Sequence, residues 1–275
     1  MAVALLGHFR FAEVTSSVHF SDFAKSKKAL VPFITAGDPS KESTVAVMHG
    51  LVKGGADIIE LGVPFSDPMA DGPTIQRSSE RALERGVNTN FVFECVKKFR
   101  EQNSETPIVL MGYLNPIEMR GLDTYAGQAV GAGVDGVLLV DLPPEEAAPM
   151  RVAFNAHGLK LISLAAPTTT PERLHRLANE SQGYLYYVSF AGVTGASGIN
   201  TEEVLSKASA LRQQSKVPVM IGFGIKDAAS AKSLAPAADG IVIGSALVEA
   251  LAASADPAAT AEAFLKPIRE ALDSL

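Results

Sequence analysis

The sequence predicts an α/β protein folded as a single (β/α)8, or TIM, barrel with an N-terminal extension. Three observations predict it. Eight short apolar runs alternate with amphipathic stretches of helical spacing, at residues 30–35, 58–63, 108–113, 136–140, 159–164, 184–189, 217–221 and 240–243. The runs are apolar throughout instead of at every second residue, so both strand faces are buried, as in a parallel sheet covered by helices. Eight such units in 275 residues leave roughly 30 residues each, the size of one strand–helix unit closing into a barrel.

The helices are punctuated as expected. Ser40 and Ser43 are placed to cap a helix that reaches Leu51 and ends at Gly54-Gly55. Pro144-Glu145-Glu146 and Thr170-Pro171-Glu172 each read as a helix start, with proline in the first turn and acids against the helix dipole. Gly55-Ala56-Asp57-Ile58, Gly133-Val134-Asp135-Gly136 and Ala237-Ala238-Asp239-Gly240 each lead into a strand, a weak internal echo of one repeated unit. A doubly wound sheet is the rival fold. Its phosphate fingerprint is matched in letters by Gly131, Gly133 and Gly136, but there a helix precedes a strand, the reverse of the required order. Residues 1–28 lie outside the pattern and are expected to form an extension or capping helix; residues 29–275 are expected to form the barrel domain.

Composition excludes several classes. A net charge of -6 opposes a broad nucleic-acid surface. No run of about 18 apolar residues could span a membrane, and the opening apolar residues are too few for a signal peptide. The single cysteine, Cys95, rules out a disulfide framework and reads as a buried hydrophobe in a reducing compartment. The expectation is a cytoplasmic protein.

In such barrels chemistry collects where strands end and loops begin. The five histidines, at 8, 19, 49, 157 and 175, all miss those places, so neither histidine acid–base work nor a metal site is expected. Glu60 is the exception: a carboxylate inside the run Ile58-Ile59-Glu60-Leu61-Gly62-Val63. If it points inward, burial raises its pKa into the range a general acid–base catalyst needs; the competing reading is a core glutamate paired with a basic residue. Asp71 follows eleven residues later in a Pro- and Asp-rich loop, close enough to fold back over the strand end. Taken alone, Asp67 and Asp71 read equally as turn acids. Gly192 to Gly195, Gly222-Phe223-Gly224 and Gly244-Ser245 occupy the last three loops, where backbone N–H groups and a helix N-terminus suit a phosphate. Tyr113 and Tyr186 lie near strand ends, as site residues or as ordinary core. Phe33, Ile75, Met111, Leu138, Leu164 and Phe223 add an apolar lining, suiting a flat hydrophobic group joined to a phosphate.

Three segments then resemble the tryptophan synthase alpha chain family. They are Pro32-Phe33-Ile34-Thr35-Ala36-Gly37-Asp38-Pro39, the stretch from Glu60 through Pro64-Phe65-Ser66-Asp67-Pro68-Met69-Ala70-Asp71-Gly72-Pro73-Thr74-Ile75-Gln76, and Gly192-Val193-Thr194-Gly195, with Gly222-Phe223-Gly224-Ile225 in support. The resemblance implies retro-aldol cleavage of indole-3-glycerol phosphate to indole and glyceraldehyde 3-phosphate. It implies Glu60 as proton donor to indole C3 and Asp71 as the group answering charge at the indole N–H. It matches Tyr186 to a site tyrosine, Gly195, Gly224, Gly244 and Ser245 to phosphate-loop positions and Thr194 to a loop threonine linked to closure over Asp71; with Phe33, Ile75, Tyr113 and Phe223 from the pocket reading, these are the expected substrate-binding residues. It also implies a beta-chain partner in an alpha2beta2 complex, with Pro64, Asp67 and Asn115 facing it. Pyridoxal phosphate would belong to that partner, with no cofactor in this chain. Two rival readings are a Schiff-base aldolase, for which Lys226 alone lies near a strand end, and a non-catalytic barrel that binds a phosphorylated ligand.

Overall fold

Each apolar run becomes a strand in the computed structural model, which describes residue 20 and residues 27–188, 201–222 and 224–275. β1 (Ala29–Thr35) is followed by α1 (Thr44–Lys53), and β2 (Ile59–Gly62) by α2 (Pro73–Glu84) and α3 (Thr89–Arg100). β3 (Ile108–Gly112) leads to α4 (Leu114–Arg120) and α5 (Leu122–Ala132), β4 (Gly136–Leu139) to α6 (Ala147–Ala156), and β5 (Lys160–Ala165) to α7 (Pro171–Glu180). β6 (Leu185–Val188) precedes α8 (Thr201–Gln214), and β7 (Val219–Gly222) precedes α9 (Ala228–Leu234). β8 (Gly240–Ile243) is followed by α10 (Ser245–Ala252) and α11 (Pro257–Asp273). The strands pair in sequence order, and β8 closes on β1 in parallel.

Period-two alternation divides the apolar residues between two cores. Val31, Ile58, Val109, Leu138, Ile162, Tyr184, Met220 and Val242 fill the barrel. Leu30, Ile34, Ile59, Leu61, Leu110 and Ile241 face outward, beneath helix residues such as Val47, Leu51, Val96 and Phe99. Phe20 joins the barrel core, its ring 6.0 Å from that of Tyr184. β7 starts two residues later than the apolar run because Pro218 has no N–H for the ladder.

The helix signals hold with two adjustments. Thr170 caps α7 through Arg173 N–H, with Pro171 in the first turn, as expected. Ser43 is the N-cap residue of α1 but makes no capping bond; its N–H and hydroxyl turn back to Ser40 instead. Pro144-Glu145-Glu146 forms a turn closed by Glu146 N–H on Pro143 O, and α6 begins only at Ala147.

The internal echo has a structural meaning. Asp57, Asp135 and Asp239 each precede a strand and accept the backbone N–H at the start of the previous one: Leu30 at 2.9 Å, Ile108 at 2.8 Å and Val219 at 2.9 Å. Each also meets an arginine, Arg269 at 2.9 Å, Arg100 at 2.7 Å and Arg212 at 2.6 Å. Gln182 does the same work before β6, accepting from Leu161 N–H at 3.0 Å. Every second strand junction is thus stitched on the N-terminal face, opposite the end where loops carry chemistry. Asp135→Ala would leave the largely buried Arg100 without its counter-charge and Ile108 without its acceptor. A loss of about 3 kcal/mol is expected in denaturant unfolding; a loss below about 1 kcal/mol would show the stitch to be idle.

Candidate active site

β2 sets the centre of the site. Ile59 and Leu61 turn outward into the helix layer, so alternation turns Glu60 into the barrel, between Phe33 of β1 and Val109 of β3 in register. Glu60 is fully buried. Tyr184, also fully buried, donates its hydroxyl hydrogen to Glu60 Oε1 at 2.5 Å. Glu60 Oε2 has no hydrogen-bond partner among the described residues. Burial pushes the carboxyl up to about 7, against the hydrogen bond from Tyr184, which favours the ionised form.

The loop after β2 folds back over this carboxyl. Phe65 stacks on Tyr113 with ring centres 5.0 Å apart, and Ala70 N–H donates to the Tyr113 hydroxyl at 3.1 Å. Asp71 N–H closes a turn on Pro68 O at 3.1 Å, and Gln76 Nε2 donates to Asp71 O at 2.8 Å. Burial pushes the Asp71 carboxyl up to about 6, with a hydrogen bond from Tyr113 acting the other way. Gly72 then caps α2, and Pro73 starts it.

Glu60 and Asp71 share one cavity of about 190 Å³ with Phe33, Ile75, Met111, Tyr186, Gly222, Gly224, Ile225, Val242, Gly244 and Ser245. One end is acidic and apolar; the other is backbone. A Cβ on Gly222 would stand 2.2 Å from the Tyr186 hydroxyl, so glycine is what lets that ring lie across β7. Gly224 adopts φ +51°, open to glycine at little cost. α10 begins at Ser245 with no side chain capping it, which leaves its first N–H groups for an anion. No group of three or more potential metal-ligating side chains comes together among the described residues.

Comparison with known proteins adds to this geometry. The family model for the tryptophan synthase alpha chain matches residues 20–273. The chain belongs to the tryptophan synthase alpha chain family. It is 60% identical over 269 residues to the tryptophan synthase alpha chain of Xanthomonas oryzae pv. oryzae (strain MAFF 311018), covering 96% of this chain and 97% of that one. The crystal structure of tryptophan synthase subunit alpha from Legionella pneumophila str. Paris is similar at a TM-score of 0.86 and 45% identity, covering 94% and 100%. A structure of the tryptophan synthase a2b2 complex from Pyrococcus furiosus is similar at 0.81 and 39%, covering 90% and 99%.

Set against the alpha-chain expectations, the structure brings together Glu60, Asp71, Phe33, Ile75, Tyr186, Gly224, Gly244 and Ser245. Thr194, Gly195 and Phe223 lie outside the described residues. Tyr113 does not line the cavity; its hydroxyl is directed at Ala70 and Asp71. Leu138 and Leu164 belong to the barrel interior and not to the cavity wall. Asp67 and Asn115 are exposed at the barrel mouth, but Pro64 is buried beneath its own loop. Lys226 is exposed beyond β7 and does not reach the cavity, which removes the geometry a Schiff-base aldolase needs. Sequence reasoning missed Tyr184, although its place two residues before Tyr186 puts both on the inward face. It also missed Val242 and Ile225.

The raised Glu60 pKa is also a stability statement. Its folded value, about 7, lies above the unfolded value, so the stability it contributes is complete below about pH 4.5 and is lost as pH rises through 7. Glu60→Gln is therefore expected to match the parent near pH 4.5 and to exceed it by about 2–4 kcal/mol at pH 8. Equal stabilities at pH 8 in chemical denaturation would contradict the burial argument.

Proposed function

We propose that this chain cleaves indole-3-glycerol phosphate into indole and glyceraldehyde 3-phosphate, with Glu60 and Asp71 as the catalytic residues. The observation that carries the reading is a buried carboxyl, one oxygen of which has no partner among the described residues, in a cavity whose other end is built from backbone N–H groups. The apolar side chains suit the indole ring, and the Gly244–Ser245 end suits the phosphate. Thr194, Gly195 and Phe223 complete the proposal as substrate-binding residues on the strength of the family motif.

In the proposed reaction, protonated Glu60 gives its proton to indole C3, and the ring double bond supplies the electron pair. Positive charge then rests on the ring nitrogen, where the Asp71 carboxylate stabilises it. The hydroxyl proton next to the ring returns to Glu60. The hydroxyl electron pair becomes the aldehyde C=O, the carbon–carbon bond breaks, and its electrons restore the indole. Glu60 ends protonated as it began. Tyr113 acts through Asp71, as a positioning residue.

A beta chain is the proposed partner in an alpha2beta2 complex, with pyridoxal phosphate held by that chain. The exposed Asp67 and Asn115, with the exposed Met69 and Met119 on the same rim, offer it a face. Pro64 supports that face from beneath. Residues 1–28 are proposed as an extension over the barrel floor, where Phe20 already packs on Tyr184. A phosphorylated substrate, which does not cross membranes unaided, supports a cytoplasmic location as part of the proposal.

Incubation with indole-3-glycerol phosphate and an assay for indole tests the reading, with and without a beta chain. Glu60→Gln and Asp71→Asn are each expected to lose on the order of 10²–10⁴-fold in turnover while phosphate-ligand binding survives. Turnover by Glu60→Gln at a tenth of the parent rate would sink the assignment. The activity of the parent should fall above about pH 7, as Glu60 loses its proton, and below about pH 6, as Asp71 gains one.

A further inference from the structure

α2 follows Asp71 directly, yet it is anchored unlike its neighbours. Its buried residues are only Ser78, Ser79 and Ala82, whereas α3 buries Val92, Phe93, Cys95, Val96 and Phe99. Apolar burial therefore does little to fix where α2 lies on the barrel. Polar contacts to β1 and the loop after it do so instead. Arg81 Nε and Nη2 each reach one carboxylate oxygen of Asp38 at 2.7 Å, and the Asp38 side chain is only 2% exposed. One turn nearer the site, the Thr35 and Ser78 hydroxyls meet at 2.6 Å. Arg85 is a more distant neighbour of Asp38, at 3.7 Å.

The two-pronged geometry fixes direction as well as distance, since a planar guanidinium on a carboxylate leaves little freedom to rotate. Arg81 lies nine residues beyond Gly72, about 13 Å along a stiff helix axis. A change of helix direction at Arg81 is therefore delivered to the Asp71 end as a displacement. β1 carries Phe33 on the opposite wall of the same cavity, so this ion pair ties the two walls together.

We propose that the Asp38–Arg81 ion pair, with its carboxylate buried and its guanidinium at the surface, is a positioning device for Asp71, holding α2 at the angle that places the Asp71 carboxylate against the substrate. The inference rests on the proposed function and assigns neither residue a contact with substrate. Positioning acts on the reacting geometry, so its loss should lower kcat and leave KM nearly unchanged.

The test is Arg81→Lys, which keeps the charge and loses the two-pronged contact, assayed for indole release with melting temperature measured in parallel. Arg269→Lys is the control: it weakens another Arg–Asp pair, with Asp57, on the barrel face away from the cavity. Expected for Arg81→Lys is a kcat lowered on the order of 10–100-fold, with KM within about threefold of the parent. Arg269→Lys should lower the melting temperature while kcat stays within about twofold of the parent. A folded Arg81→Lys with parental kcat overturns the proposal. So does an equal kcat loss in both variants, because that is general loosening. If Arg81→Lys does not fold, the charge-free pair Asp38→Asn with Arg81→Gln replaces it, with the same expected split and the same overturning result. No indole from the parent itself would overturn the proposed function first and the positioning claim with it, which separates the two failures.

Discussion

One carboxyl buried inside an apolar barrel sets the terms for the rest of the structure. Glu60 occupies an inward position where every neighbouring strand supplies apolar side chains or a tyrosine, and it has one hydrogen bond where a carboxylate could take several. An ionised group there lacks the solvation it would have in water, so the proton is held to about pH 7. The same burial that costs stability makes a carboxylic acid available near neutrality. Tyr184 restrains the effect: without its hydrogen bond the carboxyl would hold its proton still more tightly.

Stability and chemistry are divided between the two faces of the barrel. On the N-terminal face, Asp57, Asp135, Gln182 and Asp239 each join a pair of strands, three of them with arginine support. The three aspartates are paired with basic side chains and account for part of the acidic composition without any chemistry. On the C-terminal face, Glu60 and Asp71 line the cavity with no ion pair to a basic group among the described residues. An anion there meets a glycine-lined wall and the uncapped start of α10, which is how a chain of net charge -6 can offer a phosphate a favourable end.

The fold was legible because parallel strands buried on both faces leave an unbroken apolar signature, and because the Asp echo marks a true repeat. Glu60 was legible because a charge in such a run breaks the pattern. Asp71 was legible through its loop and the family motif, whereas composition alone left it a turn acid. Tyr184 was not, because an inward tyrosine hydroxyl looks like core until its partner is known. Asp38 and Arg81 were hidden for a related reason: they lie 43 residues apart, and the parallel pairing of β1 with β2 brings them together. The start of α6 was misjudged because Pro-Glu-Glu serves a turn as readily as a first helical turn.

The central claim is that burial keeps Glu60 protonated into the neutral range. Its carboxyl carbon can be followed directly by 13C NMR of protein labelled at glutamate side-chain carboxyls, with Glu60→Gln identifying the resonance. The account predicts a titration midpoint near 7 that is absent from Glu60→Gln. A midpoint near 4.5, the ordinary glutamate value, would contradict it.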